Sequence, residues 1–402
     1  MYPSGSKLAD PLASLMRLAD RLAPVPESIV RLNDAGGLVL ATDVRADRDH
    51  PPVDVSAVDG YALRMEQAGV GSKSITAESR IGTAAPPMAG DGVVKIATGA
   101  AVPLGAEAVV RREEVREHPD RIDITRPLSL KPDQDIRRRG TNIRAGERVL
   151  AAGALLGPSQ MAALAAMGVS QVRVRRPVRV AMIVTGDELV DVDRDPQPYQ
   201  IRESHSPAVR CALGANRWID LVETTVVRDD FALIVAKLAE DLAGCDAVLL
   251  SGGVSMGDRD FVPDAVRQTG GEIVFHGLAL RPGRPTLGAV GPRGQAVLGL
   301  PGNPLSVLVT VRRLAAIALR KLAGMAEIDP PAPRVSLQGT ATVHPEFRLF
   351  PPALLTLEGS ARIVPARNSG DLIAAAQTDG FVEIPPGDSV PSLVSFYSWA
   401  LT

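Results

Sequence analysis

Short apolar runs alternate with amphipathic stretches between residues 177 and 325, and this alternation is the clearest pattern in the chain. Continuous apolar runs predict buried strands, whereas apolar positions three and four residues apart predict helices. The pattern predicts strands at 178–184, 219–227, 246–250, 272–276 and 296–300, and helices at 206–213, 230–243, 259–269 and 304–323. The second helix opens with the acidic cap Asp229-Asp230. Such alternation predicts a doubly wound parallel α/β sheet.

Other patterns occupy the rest of the chain. Helical spacing from Leu8 to Leu22 predicts a helix that packs against another part of the chain or forms a dimer surface. Short β-like pieces between residues 45 and 145, separated by Gly, Pro and Asp, predict a small barrel or sandwich. A helix at 158–167 and a strand at 171–175 follow. After a Pro-rich linker at 329–333, the remaining segment is again β-rich.

A chain of 402 residues exceeds one ordinary hydrophobic core, so we expect a multidomain α/β protein. The patterns predict a helical, linking domain (1–44 with 146–176), a β-rich inserted domain (45–145), the α/β domain (177–325) and a β-rich, barrel-like C-terminal domain (330–402).

Three of the predicted α/β strands end in polar turns that contain glycine. The turns are Thr185-Gly186-Asp187-Glu188, then Ser251-Gly252-Gly253 with Asp258 and Asp260 close behind, and Pro301-Gly302-Asn303-Pro304. In open α/β sheets ligands bind outside the carboxyl ends of the strands. Glycine turns let the backbone approach an anion, and carboxylates hold divalent cations. The turns therefore predict a nucleotide-like or phosphate-bearing ligand with a divalent cation.

Composition narrows the class of function. The net charge of −2 gives no electrostatic footprint for binding nucleic acid or an anionic membrane. No apolar run approaches the ~20 residues of a transmembrane helix. The N-terminal residues lack the basic start and apolar core of a secretory signal. Cys211 and Cys245 have no metal-ligand spacing, and we interpret them as buried thiols. We therefore expect a cytoplasmic protein without nucleic-acid or membrane partners.

Two loops in the first half complete a set of motifs. One is Ser56-Ala57-Val58-Asp59-Gly60-Tyr61-Ala62, and the other is Thr98-Gly99-Ala100 followed by Pro103 and Gly105. With the three strand-end turns, in this order and spacing, the chain resembles the molybdopterin molybdotransferases, the MoeA and gephyrin E-domain family. The resemblance extends from residue 52 to the C-terminal segment.

The resemblance implies an elongated homodimer of four-domain subunits, with a molybdopterin-binding α/β domain. Its active site lies between the α/β domain of one subunit and the other domains of its partner. The implied enzyme takes molybdate and adenylylated molybdopterin as substrates, requires Mg²⁺, releases AMP and leaves molybdenum on the pterin dithiolene. Further implied partners are a molybdopterin adenylyltransferase and molybdoenzymes or their chaperones.

The resemblance also assigns site residues. Asp59, Glu188 and Asp260 are the expected catalytic residues, and Glu188, Asp258 and Asp260 are the expected Mg²⁺ ligands. Arg281 and Arg284, in Arg281-Pro282-Gly283-Arg284, are expected to bind molybdate. The expected substrate-binding residues are Thr98, Gly99, Thr185, Gly186, Ser251, Gly252, Gly253, Asp258, Arg281, Pro282, Gly283, Arg284, Pro301, Gly302, Asn303, Pro304 and Ser306. We interpret Asp187 as a helix N-cap, and we leave Asp229 and Asp230 outside the site.

This chain departs from the family pattern at three places. Asn142 stands where the family has Asp, His205 stands where it has Asn, and Arg281 and Arg284 replace two lysines. A neutral Asn142 cannot supply a negative metal ligand. Two functions stay open: the molybdenum insertase, and a catalytically altered paralogue that binds molybdopterin or delivers the cofactor. A dinucleotide-binding oxidoreductase ranks third, since no G-x-G-x-x-G follows an early strand.

Overall fold

The computed structural model describes residues 8–255, 257, 260–339 and 341–401. It divides into two compact units. The larger comprises Met1–Thr42, Ala152–Met161 and Ser170–Thr402, and the smaller comprises Asp43–Ala151 and Ala162–Val169. The multidomain α/β fold class is confirmed, whereas the division into four domains stays a prediction.

A six-stranded sheet forms the centre of the larger unit. Its strand order is Ile219–Val227, Val178–Thr185, Ala247–Ser251, Ala296–Leu300, Leu287–Val290 and Glu272–His276. The first four strands are parallel, as predicted, so their carboxyl ends meet at one edge. The last two are antiparallel to their neighbours. The sheet is therefore mixed rather than parallel throughout.

The strand Leu287–Val290 was missed from the sequence, and it explains the change of direction. Only residues 291–295 separate it from Ala296–Leu300, and they contain two glycines and a proline. Parallel neighbouring strands need a crossover connection of a dozen residues or more. A connection of this length therefore requires an antiparallel hairpin.

Helices cover both faces of this sheet in the larger unit. Asp230 caps the helix Phe231–Gly244 by accepting a hydrogen bond from the Leu233 N–H. The predicted helix at 304–323 has a wide π-helical turn at Val311–Ala315 between two α-helical stretches. The helices are Pro11–Ala19, His205–Gly214, Phe231–Gly244, Val262–Gln268, Pro304–Thr310, Ala316–Leu322 and Leu372–Ala376, and Pro158–Ala166 lies at the boundary of the two units.

The core of the larger unit is built mainly from aliphatic side chains. Leu15 and Leu18 of the first helix join the cluster that contains Met182, Leu249 and Leu298 of the central sheet. The first helix therefore packs against the α/β core, which is the first of the two roles that its spacing allowed.

Two further sheets belong to the larger unit. One is three-stranded, in the order Glu27–Arg31, Gln171–Arg175 and Val39–Leu40. The other is the six-stranded C-terminal sheet Arg334–Val335, Val394–Ser398, Gly380–Glu383, Pro352–Leu355, Ala361–Ile363 and Leu337–Gln338. Two short parallel ladders, Leu189–Val190 with Ile201–Arg202 and Leu280–Arg281 with Arg348–Leu349, lie outside them.

The smaller unit is β-rich, as its turn-separated short strands predicted. Its main sheet has the order Ala108–Arg111, Gly60–Leu63, Val93–Ile96, Gly71–Ser79, Arg121–Ile124 and Arg116–Glu117. Two ladders accompany it, Val55–Ser56 with Ile136–Arg137 and Val44–Arg45 with Arg148–Leu150. Short 3₁₀ turns are at Met65–Ala68 and Arg112–Glu114 of this unit and at Leu32–Asp34 of the larger unit.

Two local interpretations were wrong. No helix begins at Asp187, because the chain turns there into the strand Leu189–Val190, and the Asp187 carboxylate instead lies 3.4 Å from Arg228 Nε. Cys245 is buried but Cys211, on the outer side of the helix His205–Gly214, is exposed. Among the described residues, no helix is both long and apolar enough to cross a membrane.

Candidate functional site

The carboxyl edge of the parallel strands opens into a cavity of about 1160 Å³. Residues after the strand ends line one side of it, and the C-terminal segment lines the other. The expected site residues that line it are Glu188, Gly253, Asp260, Arg281, Pro282, Gly283, Arg284, Pro301, Gly302, Asn303 and Ser306.

A second cavity of about 560 Å³ adjoins the first. The two share Glu188, Gly253, Asp260 and Gly302 in their walls, so these residues lie at the junction. The second cavity also contains the expected residues Thr185, Gly186, Gly252 and Pro304. All three strand-end turns therefore converge on one continuous region of the larger unit.

Close backbone packing brings two of these turns together. Gly252 has a φ of +92°, and Gly253 has a φ of +61°. A Cβ on Gly252 would lie 2.4 Å from the Thr185 carbonyl oxygen and 2.8 Å from its Oγ1. The buried Thr185 hydroxyl has no hydrogen-bond partner in the described part of the chain, although Thr185 lines the second cavity. An unpaired buried hydroxyl costs stability unless a further group completes its bonding.

Ser251 and His205 form a buried pair beside the second cavity. Ser251 Oγ lies 2.8 Å from His205 Nδ1, and Ser251 itself does not line either cavity. Burial lowers the pKa of His205, partly offset by the Glu203 carboxylate. The Glu203 carboxylate accepts from the backbone N–H groups of His205 and Ser206 and so caps the helix His205–Gly214. His205 is therefore a neutral hydrogen-bonding group at neutral pH.

The acidic residues at the junction have unequal surroundings. Glu188 is exposed, while Asp260 is half-buried and its Oδ2 accepts a 2.5 Å hydrogen bond from the Gly257 N–H. Asp258 lies outside the described residues. Within those residues, no group of three or more His, Cys, Asp or Glu side chains has a geometry for holding a metal ion. Two carboxylates suit Mg²⁺, which usually keeps several waters and takes ligands from substrate phosphates.

The loop 281–284 carries the expected molybdate-binding arginines into the larger cavity. The Arg281 guanidinium lies 4.2 Å from the ring centre of Phe347. Leu280–Arg281 pairs in parallel with Arg348–Leu349 of the C-terminal segment, which fixes the loop against that segment. Gly283 has a φ of +114°, and a Cβ there would meet Leu280 and Thr310 at 2.6 and 2.7 Å.

Three expected site residues belong to the smaller unit and form a local cluster there. Asp59 Oδ1 accepts from the Thr98 backbone N–H at 2.7 Å and from Thr98 Oγ1 at 2.8 Å. These bonds lower the pKa of Asp59, whose side chain is exposed. Gly99 has a φ of +82° and donates to the Ser56 carbonyl. Asn142 Nδ2 lies 3.2 Å from His50 Nδ1 in the same unit.

The sequence did not predict several residues of the two cavity walls, some of them in the C-terminal segment. Arg367, Asn368 and Ser369 line the larger cavity, and Arg202, Ser204 and Asp229 line the smaller one. The sequence placed Asp229 outside the site because Asp229-Asp230 was interpreted as a helix cap, but in the structure Asp230 caps the helix and Asp229 lines the cavity. The polar turn Arg367-Asn368-Ser369-Gly370 was the available signal, but nothing in its spacing shows which cavity it reaches.

Comparisons with known proteins agree with the arrangement. Residues 8–168 match the family described as "MoeA N-terminal region (domain I and II)", and residues 181–321 match "Probable molybdopterin binding domain". A molybdopterin molybdenumtransferase of Nostoc sp. is 34% identical, covering 90% of this chain and 85% of its own length. One from Staphylococcus aureus is 30% identical, with 93% and 91% covered. The crystal structure of a molybdopterin biosynthesis moeA protein from Pyrococcus horikoshii OT3, 27% identical, superposes with a TM-score of 0.82 over 98% of this chain and 100% of that one. The chain therefore belongs to the MoeA family of molybdopterin molybdenumtransferases, which are transferases of molybdenum cofactor biosynthesis.

Proposed function

We propose that this chain inserts molybdenum from molybdate into adenylylated molybdopterin, with release of AMP, in the two joined cavities. The observation that carries the proposal is the convergence of the three strand-end turns on a region with Glu188 and Asp260 at its centre. The larger cavity alone, about 1160 Å³, exceeds the ~300–1,000 Å³ of most small-molecule pockets. A ligand with both a pterin half and a nucleotide half needs such space.

The smaller cavity has the groups that a phosphoanhydride requires. The glycine turns at Gly186 and Gly252-Gly253 leave backbone close to the cavity. The N–H groups of Gly186 and Gly252 donate to the Val227 and Leu300 carbonyls, so the Gly253 N–H is the group of these turns that would donate to a phosphate oxygen. The Thr185 hydroxyl supplies a further donor without losing a bond inside the protein. Ser251, held by His205, positions the turn from behind. We therefore assign the binding of the phosphate-bearing part of the substrate to this cavity.

Glu188 and Asp260 would hold Mg²⁺ at the junction, together with the substrate's own oxygens. When bound, the cation would neutralise negative charge on the phosphates during anhydride cleavage. Glu188 contributes a carboxylate free to turn towards a ligand, and Asp260 contributes one already oriented by the Gly257 N–H. Carboxylate oxygens suit the hydrated, oxygen-rich coordination that Mg²⁺ prefers.

Arg281 and Arg284 would bind molybdate in the larger cavity. Molybdate is a dianion with four oxygens, and guanidinium groups donate to such oxygens in a planar, two-pronged geometry. The ring of Phe347 beneath Arg281 and the pairing of Leu280–Arg281 with Arg348–Leu349 restrict where that guanidinium can point. Molybdate would thus be presented to the pterin from the C-terminal side of the cavity.

The remaining assignments concern partners and location. We propose a homodimer in which Asp59, Thr98 and Gly99 of one subunit complete the site of the other. A molybdopterin adenylyltransferase would supply the substrate, and molybdoenzymes or their chaperones would receive the product. A cytoplasmic location stays a prediction.

An altered paralogue that binds or delivers the cofactor is the alternative, and the neutral Asn142 favours it. Asn142 lies beside His50 and lacks the carboxylate expected at this position. Both functions require substrate binding, but only the insertase releases AMP. An assay of AMP release that depends on molybdate and Mg²⁺ therefore separates them.

The decisive experiment compares neighbouring acids in that assay. We expect Glu188→Gln and Asp260→Asn to reduce AMP release by about 100-fold or more, since each loses a ligand charge but keeps its size. The matched control is Asp187→Asn, because Asp187 is adjacent, exposed and absent from both cavity walls. Full activity in Glu188→Gln, or equal losses in Glu188→Gln and Asp187→Asn, would contradict the proposal.

A further inference from the structure

A third cavity, of about 360 Å³, lies between the helical stretch Val311–Leu322 and the C-terminal segment. It shares no lining residue with the two cavities of the candidate site. Three arginines, Arg312, Arg313 and Arg320, line it, and Asp329 is the one carboxylate among its described lining residues. The wall is therefore strongly cationic, in contrast to the chain's overall charge of −2.

Arg313 has its acceptors within the protein. Its Nε donates to Glu383 Oε2 at 2.7 Å, and its NH1 and NH2 donate to the two Asp329 oxygens at 2.9 and 3.3 Å. Glu383 also accepts from Arg348 NH1 at 2.5 Å. Both nearby carboxylates are therefore already engaged by other arginines. A buried arginine paired in this way is a structural feature and needs no ligand.

Arg312 and Arg320 are not paired in this way. Arg320 is only 7% exposed, yet its guanidinium has no hydrogen bond or ion pair in the described part of the chain. Arg312 donates from Nε to the Ser398 carbonyl at 2.9 Å and lies over the Tyr397 ring at 5.4 Å, again without a carboxylate partner in the described residues. Buried charges are normally paired, because removing them from water costs several kcal/mol per ion.

The two arginines also repel each other. Burial, followed by the charge of Arg320, lowers the pKa of Arg312 to about 10, and burial lowers the pKa of Arg320, an effect that the Asp329 carboxylate offsets only in part. Arg312 still carries its proton at neutral pH, so loss of a proton does not remove the repulsion between the two guanidinium groups. An anion bound between them would offset this repulsion.

We propose that the cavity lined by Arg312 and Arg320 binds a tetrahedral oxyanion, either free or as a small phosphate ester. The N–H groups of Arg320 and the NH1 and NH2 groups of Arg312 would donate to its oxygens, as guanidinium groups do to phosphate. Pro330, Pro333 and Phe396 would enclose the less polar side of the ligand. The wide helical turn at Val311–Ala315 places Arg312 and Arg313 on the cavity together.

Inorganic phosphate, sulfate and molybdate share this chemistry, so all three serve as probes. Titration calorimetry on an Arg281→Gln/Arg284→Gln background removes the arginines of the candidate active site. On that background we expect saturable binding of inorganic phosphate. Adding Arg312→Gln or Arg320→Gln should weaken it by about tenfold or more, the loss expected for one charge-assisted hydrogen-bonding group. Arg334→Gln is the matched control, since Arg334 lies nearby, donates to the Leu393 carbonyl and does not line the cavity.

Stability gives a second readout that does not require calorimetric heats. Phosphate should raise the melting temperature of the background protein and of Arg334→Gln, but not of Arg312→Gln, because only binding to the folded state stabilises it. Arg312→Gln loses only a hydrogen bond to a carbonyl and a contact with an aromatic ring, so it should fold even where Arg320→Gln does not.

Molybdate bound more tightly than phosphate and sulfate would identify the metal oxyanion as the ligand, and equal affinities would identify a general oxyanion site. The proposal is overturned if none of the three anions binds saturably, or if Arg312→Gln and Arg334→Gln bind phosphate equally well.

Discussion

At the scale of single residues, two cavities contain polar groups whose bonding inside the protein is incomplete. Thr185 Oγ1 is buried without a hydrogen-bond partner, and the Arg320 side chain, which is 7% exposed, lines the third cavity without a hydrogen bond or ion pair, both within the described residues. Each such group costs free energy in the folded chain. The cost has a physical explanation if a ligand supplies the missing bond, which is why both groups enter our proposals.

His205 provides a residue-scale prediction about pH. Its folded pKa is lowered by burial, whereas an unfolded chain has a His pKa near 6.5. As the pH falls below about 6.5, the unfolded chain takes up the proton and the folded chain does not, so the free energy of unfolding should fall. Above that pH the contribution is fully present. Urea unfolding at pH 7.5 and pH 5.5 measures the difference.

The control is His205→Asn, which places the family's residue at this position and cannot titrate. Other titrating groups are common to both proteins and cancel when their pH dependences are subtracted. The loss of stability between the two pH values should be smaller in His205→Asn. Parallel curves for the two proteins would mean that His205 does not resist protonation in the fold.

At the scale of elements, the turns that end the parallel strands depend on glycine at particular places. Gly252 needs a positive φ and lets its backbone touch Thr185. We expect Gly252→Ala to lower the free energy of unfolding by about 2 to 4 kcal/mol, from the left-handed backbone and the steric conflict together. Gly302→Ala is the matched control, since its Cβ would meet Gly252 Cα at an ordinary 3.7 Å. Chemical denaturation that gives equal losses for both variants would contradict this account.

Elements were predicted best where the local pattern alone determines them. The buried strand Val178–Thr185 was found because apolar, β-branched runs favour strands, and the largely unburied edge strand Ile219–Val227 was found from its β-branched residues. Leu287–Val290 was missed because it is short and contains Gly288, so its four residues carry little signal. The wide turn at Val311–Ala315, which contains Arg312 and Arg313, has no recognisable signal in the sequence.

At the scale of the whole molecule, the expected catalytic residues Asp59 and Glu188 belong to different compact units. If a homodimer shares its sites, Asp59 of one subunit serves Glu188 of the other. Mixing Asp59→Ala chains with Glu188→Ala chains should then restore part of the AMP release, because each heterodimer has one site with both residues intact. The measurement is activity of purified heterodimers against each homodimeric variant. A monomer by sedimentation, or verified heterodimers without activity, would refute shared sites.

The sequence by itself determined the elements and turns that local chemistry specifies: the buried strands, the glycine turns behind them, and the acids and arginines that these turns carry. It also determined the family, since the order of those motifs is a property of the chain. Tertiary structure decided what depends on distant contacts. The entry of Arg367, Asn368 and Ser369 into the larger cavity and the burial of His205 belong to this class. So does the cavity around Arg312 and Arg320. Burial and pairing are set by neighbours that are distant along the chain, and hydrophobic spacing carries no record of which neighbours those are.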